Sequence, residues 1–243
     1  MTPAPSATLV EAAVDSIAQA RRAVEDGAQR LELCAALAVG GLTPDVALVT
    51  AVRAVVAVPV HVLVRPRPGD FVYDAAEVEA MCASIARVRE AGADSVVIGA
   101  LRPDGRVDQA AVEAMVAAAA SCPVVAHRAV DAARDLEEAV ATLAAAGATR
   151  VLTSGGAATA EQGIERLRQL VRRFGGRETI GPEARRVTIL AGGGVRGGHV
   201  RRLVTETGVR EVHVGFPEGA EIDRVRAVVA ALTRASADSS RNQ

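Results

Sequence analysis

The sequence predicts an α/β fold, a (β/α)8 TIM barrel formed as one domain over residues 1–243. Three observations carry that expectation. One grammar recurs four times, at "EDGAQRLEL" (25–33), "EAGADSVVI" (90–98), "AAGATRVLT" (145–153) and "ETGVREVHV" (206–214). In each, a helix rich in Ala, Arg and Glu ends on a glycine able to take the left-handed cap conformation, and the chain then turns into a short β-branched strand. Between them lie the apolar runs "VPVHVLV" (58–64), "CPVVAHR" (122–128) and "VTILAGG" (187–193), and "TLVEAAV" near the start completes eight strands. Eight strand–helix alternations in a chain of about 250 residues favour a closed barrel over an open doubly wound sheet. The segment after the first strand, "AAVDSIAQ", also lacks the glycines a dinucleotide-binding sheet would place there.

Helical stretches fill the intervals in order, at 16–25, 45–56, 75–91, 109–120, 136–145, 160–173, 198–207 and 223–234. The irregular "GGRETIGPEARR" at 175–186 reads as a surface insertion before the seventh strand. The ends, about 1–7 and 236–243, read as short disordered segments.

Composition narrows the function classes. Half the residues are apolar and 23% are charged, enough for a sizeable core. A net charge of -1 and a pI near 6.5 offer no basic face for nucleic acid or an anionic membrane. All 28 basic residues are arginine, so no internal lysine exists to form a Schiff base. Cys34, Cys82 and Cys122 are odd in number and widely spaced, which suits neither a disulfide framework nor a CxxC-type zinc site and points to a reducing compartment. With no signal-peptide pattern and no long apolar run, the expected location is the cytoplasm. One tyrosine and three phenylalanines leave little for stacking recognition, Tyr73 after the third strand being the exception.

In such a barrel the chemistry gathers at the carboxyl ends of the strands. Those ends carry Glu11 on the first strand, Glu32 and Cys34 on the second, Arg65 and Arg67 on the third, His127, Arg128 and Asp131 on the fifth, Ser154 on the sixth and Gly192, Gly193 and Gly194 on the seventh. Arg65 and Arg67, each held beside a proline, have two readings: a layer of salt bridges to Glu11 or Glu32, or two forks gripping an anion. The glycine run reads either as a tight turn or as a phosphate cradle in the last loops of the barrel. His127 is the candidate proton-transfer group, oriented by Asp131, with Glu11 or Glu32 as the second such group. Each also has a plain structural reading, a core histidine and inward carboxylates paired to arginine. Arg128 and Ser154 join the anion-binding set, although "TSGG" is also good turn chemistry. His213 reads as a packed residue.

The segments "GAQRLELCAALAVGGLTPD", "VLVRPRPGDFVYD", "HRAVD", "RVLTSGG", "LAGGGVR" and "EVHV", in this order, resemble the CutC family of copper homeostasis proteins over nearly the whole chain. The resemblance implies a TIM barrel, a cytoplasmic location and a part in copper handling through cysteine and histidine ligands. This chain departs from the family pattern with Ala12, Ala13 and Val72 where cysteines are common, and Cys34 is the one thiol left as a metal ligand. A Cu(I) site wants two or more soft ligands. The expected ligand is therefore a small anionic molecule or a copper ion. The competing expectation is a lyase, isomerase or hydrolase acting on a phosphorylated or carboxylated sugar-like compound, with no copper role. An outer ring of helices permits a homodimer.

Overall fold

The structure is a computed structural model, and it describes residues 8–175, 186–215 and 223–241. Among these, strands β1 (Leu9–Val14), β2 (Arg30–Leu33), β3 (Val60–Leu63), β4 (Ser95–Ile98), β5 (Val124–Ala126), β6 (Arg150–Thr153), β7 (Thr188–Ala191) and β8 (Glu211–Val214) are all parallel. Each pairs with the next, and β8 returns to β1, which closes the barrel.

The helices are α1 (Ile17–Glu25), α2 (Val46–Arg53), α3 (Ala75–Glu90), α4 (Gln109–Ala119), α5 (Leu136–Ala146), α6 (Ile164–Leu170), α7 (Val200–Thr207) and α8 (Arg224–Arg241). Local chemistry explains their ends. Ser16 caps α1, and Asp74 with Glu77 forms a reciprocal capping box at the start of α3. The four recurrent glycines, Gly27, Gly92, Gly147 and Gly208, all have positive φ, the left-handed conformation that ends a helix and redirects the chain into a strand. The sequence-based boundaries miss in two places. Helix α6 starts at Ile164, because 157–163 is spent in turns beyond Gly155 and Gly156, and it ends in a π turn over Val171–Gly175. Helix α8 runs past 234 to Arg241, since "SADSSR" contains neither Gly nor Pro to stop it. The insertion expected at 175–186 lies almost wholly outside the described residues, as does the segment 1–7.

Alternation along each strand divides the side chains between two cores. Val10, Ala12, Val14, Leu31, Val62, Val96, Val151 and Val212 face outward and pack against the helices in one large apolar cluster. A small interior cluster, Cys34, Leu63, Val97 and Val125 with Leu37, fills the barrel on the β2–β5 side. The rest of the interior combines Ala13, Leu152 and Leu190 with a polar network.

Candidate functional site

The polar interior begins at the amino-terminal end of the strands. Arg30, which pairs in register with Glu11, donates from Nε to the Glu11 carboxylate at 2.5 Å and from Nη2 to Glu211 at 2.6 Å. Arg150 donates to Glu211 from the opposite side at 3.0 Å. Two arginines and two carboxylates thus form a chain across the barrel in which each charge meets its opposite.

One layer higher, His213 Nδ1 lies 2.8 Å from Glu11 Oε1, and its Nε2 lies 3.6 Å from Glu32 Oε2. His61 Nδ1 stands 3.2 Å from Glu11 Oε2 but off the hydrogen-bond axis. Burial pushes the Glu11 carboxyl upward, but His213, His61 and the Arg30 charge outweigh it and hold Glu11 well below the usual carboxylate range. Among the described residues Glu32 has no arginine of its own. Burial raises it to about 7, with the Glu11 charge adding to the rise and His213 opposing it. Burial lowers the His213 imidazole, yet Glu32 and Glu11 raise it further, so its net shift is upward. The Glu11 side chain is 2% exposed and that of Glu32 is 10%, so the near-neutral carboxyl is the one that keeps contact with the mouth. Above His213 the inward positions among the described residues are Ala13, Gly192 and Gly215, all small. A Cβ on Gly192 would stand 2.4 Å from Leu152 Cδ1 and 3.2 Å from His213 Cβ, so this glycine is required by packing beside the imidazole.

The other mouth residues are placed differently from the sequence expectation. Arg65 is buried, but it reaches neither Glu11 nor Glu32. Its Nη1 donates to the Val39 and Gly41 carbonyls and its Nη2 to the Gly69 carbonyl, so it ties the loop after β2 to the loop after β3. Arg67 turns away to Glu77 and Asp70, where two carboxylates already neutralise it. The two arginines therefore do not grip one anion together.

His127 and Asp131 are likewise separate. The His127 Nδ1 accepts from the Ala129 backbone N–H at 3.1 Å and caps a short 3-10 turn, while burial and then the Arg65 charge lower its pKa to about 3. It is a neutral ring at physiological pH, held against Gly99, where a Cβ would come within 2.6 Å of it. Asp131 instead receives Arg128 Nε, Thr153 Oγ1 and the Ser154 and Gly156 backbone N–H groups. It pins the end of β6. Ser154 is fully buried in the same knot, with its hydroxyl donating to the Ala157 carbonyl and accepting from Arg128 Nη2, an arrangement that leaves no free nucleophile. Gly193 takes a positive φ and lies against Ser154 and the Arg128 guanidinium. Gly194 also takes a positive φ, at the turn that follows.

Cys34 is 1% exposed, and its thiol donates to the Val14 carbonyl. Burial, then the charges of Glu32 and Asp15, push its pKa strongly upward, so the sulfur stays protonated. Cys82 lies on α3 and Cys122 follows α4, and Met81 and Met115 are in the outer core, so Cys34 has no second soft ligand beside it. Among the described residues no group of three His, Cys, Asp or Glu side chains is arranged to hold a metal ion. These donors do not fit a Cu(I) centre. A groove of about 510 Å³ lies apart from the strand ends, between α4 and α5, and there Arg106 and Arg134 already pair with Glu138.

Residues 8–217 match the model of the CutC family. The chain belongs to the CutC family. A CutC family protein from Xanthomonas campestris pv. campestris is 42% identical over 204 residues, which is 84% of this chain and 81% of that protein. A solved structure from Streptococcus agalactiae, named as a copper homeostasis protein CutC, superposes with a TM-score of 0.77 at 29% identity, covering 86% of this chain and 99% of that one. Phosphoribosylanthranilate isomerase from Thermotoga maritima, at 13% identity and a TM-score of 0.59 over 93% of this chain and 99% of that one, shares the barrel alone.

Sequence reasoning overlooked His61, Arg30, Glu211 and Arg150 and took His213 for packing. The signal was present in "RLEL", "VHV" and "EVHV": charged residues two apart, or a histidine inside a four-residue apolar strand, sit on one face, and in a barrel that face is the interior.

Proposed function

We propose that this CutC-family barrel binds a small anionic metabolite at its mouth and moves a proton on it, with Glu32 as the proton-transfer group. The observation that carries the reading is the Glu32 carboxyl, poised near 7 at the mouth side of a network in which Glu11, Arg30, Glu211 and Arg150 are already paired. A carboxyl with a pKa close to the working pH is present in both forms and serves as acid or base with little penalty in either direction. His213, hydrogen-bonded to the fixed anion Glu11, stands 3.6 Å from Glu32 and couples to it through charge. Glu11 is the electrostatic anchor here, and its Arg30 partner keeps it ionised through the cycle. Isomerisation, elimination and hydrolysis all use such a group. The three free cysteines suit a cytoplasmic setting.

The copper association named for the streptococcal relative gains less support from these residues, because one buried, protonated thiol is a poor Cu(I) ligand. The test is deuterium wash-in. Ligands selected by thermal shift from small carboxylates and sugar phosphates are incubated with the protein in D2O and followed by NMR. Wild type is expected to exchange a carbon-bound hydrogen of its ligand, and Glu32→Gln is expected not to. Equal exchange by both proteins overturns the assignment. Stoichiometric Cu(I) uptake lost in Cys34→Ser, with no anion bound, would replace it with the copper reading.

A further inference from the structure

On the β3–β5 side of the mouth, three buried hydrogen-bond donors have no acceptor among the described residues: Arg65 Nε, the Tyr73 hydroxyl and His127 Nε2. They are neighbours. The Arg65 guanidinium carbon and the His127 ring each lie 5.1 Å from the centre of the Phe71 ring, and the Arg65 charge acts on both His127 and Tyr73. Buried polar groups in native proteins are nearly always paired, and each one left unmade costs about 1–3 kcal/mol. Two unpaired N–H donors and one unpaired hydroxyl, linked through Phe71 and the Arg65 charge, suit an added acceptor.

Each donor has a fixed role. Three backbone carbonyls take three of the four Nη hydrogens of Arg65, and its buried Nε–H is unpaired. The His127 Nδ1 accepts from Ala129, which places the ring proton on Nε2. Burial raises the Tyr73 phenol against the pull of Arg65 and so keeps it protonated. No carboxylate pairs with Arg65 among the described residues, so the seat carries one uncompensated positive charge and two neutral donors. Arg65 and His127 each keep 7% exposure, while Arg65 Nε and His127 Nε2 themselves are buried.

We infer that Arg65, Tyr73 and His127 together seat one carboxylate group of the mouth ligand, making a small carboxylic acid rather than a phosphate ester the substrate class. One positive charge balances a monoanion, whereas a phosphate dianion would leave a net negative charge in a buried site. The inference rests on the reading that the mouth binds an anion. It also separates two tasks, the donor seat holding the carboxylate and Glu32 acting elsewhere on the molecule.

The test is calorimetric titration at neutral pH with acetate, pyruvate, lactate and inorganic phosphate, on wild type, Tyr73→Phe and His127→Asn. Asparagine keeps an acceptor for the Ala129 N–H and removes the Nε2 donor, so the two variants probe the seat by independent routes, and circular dichroism melts establish that each folds. Wild type is expected to bind at least one carboxylate in preference to phosphate, with affinity falling roughly tenfold in each variant as one hydrogen bond is lost. Preference for phosphate, or carboxylate affinity unchanged in both variants, overturns the carboxylate seat and leaves the anion-binding mouth standing. Binding of no anion at all overturns both.

Discussion

The two ends of the barrel interior differ in how their polar groups are paired. At the amino-terminal end Arg30, Glu11, Glu211 and Arg150 saturate one another, two cations against two anions. At the mouth, among the described residues, Glu32 lacks an arginine, Arg65 lacks a carboxylate, and two neutral groups lack partners. The same residue types, arginine, glutamate and histidine, serve stability in one place and remain available for a ligand in the other. Pairing separates the two roles more than burial does, since Arg150 and Glu211 at the paired end are only partly buried.

The largest expected effect breaks the paired end. Arg30→Met strips the fully buried Glu11 of its arginine and leaves Glu211 to Arg150 alone, and should cost about 3–5 kcal/mol, read as a fall in unfolding free energy in urea. If the loss is under about 1 kcal/mol, the chain is not the closed ion-pair array described here.

Next in size is the pH dependence of the unpaired end. The folded-state pKa of Glu32 is raised from 4.5 to about 7, so it costs nothing below 4.5, and its cost grows as pH rises toward 7. That cost is on the order of 3 kcal/mol at most. The His213 imidazolium, also raised, contributes stability below its unfolded value of 6.5 and loses it as pH rises through the folded value. Both terms have the same sign. His127, lowered to about 3, acts with the opposite sign below 6.5, so the net slope is the balance of the three groups, and Glu32→Gln should shift that slope toward rising stability between 4.5 and 7 when melting temperature is followed against pH. A variant with an unchanged slope would remove Glu32 from the account.

A smaller effect sharpens the boundary between the two ends. Gly192→Ala drives a methyl group into Leu152 and His213, and a loss of about 1–3 kcal/mol is expected from overpacking, measurable by denaturant unfolding. The smallest belongs to Arg67→Ala, whose guanidinium pairs with Asp70 and Glu77 and lies 5.2 Å from the Tyr73 ring centre, and which should lower ligand affinity less than either seat variant in the calorimetric titration.

The architecture was legible in the sequence because its signals are local. A glycine after each helix, a β-branched run and a capping residue act within a few positions, and Gly27, Gly92, Gly147 and Gly208 took the conformation they announced. The site was legible only in part. Glu32, Arg65, Tyr73 and His127 could be placed at the mouth, but their partners are set by which residues meet across the barrel. Asp131 was paired with His127 on closeness in sequence, and the 3-10 turn between them sends the carboxylate to β6 instead. Arg65 was offered Glu11 or Glu32, and the loop carbonyls of Val39, Gly41 and Gly69 captured it first. His61 and His213 passed as core residues because an apolar strand conceals a single inward polar position.

The measurement that bears most directly on the central claim is a carbon-detected NMR titration of the side-chain carboxyls, with Glu32→Gln used to assign the signal. The account predicts a Glu32 midpoint near 7, well separated from the exposed glutamates. A Glu32 midpoint in the ordinary carboxylate range would mean that it is as fully paired as Glu11, and the contrast between the two ends of the barrel would disappear.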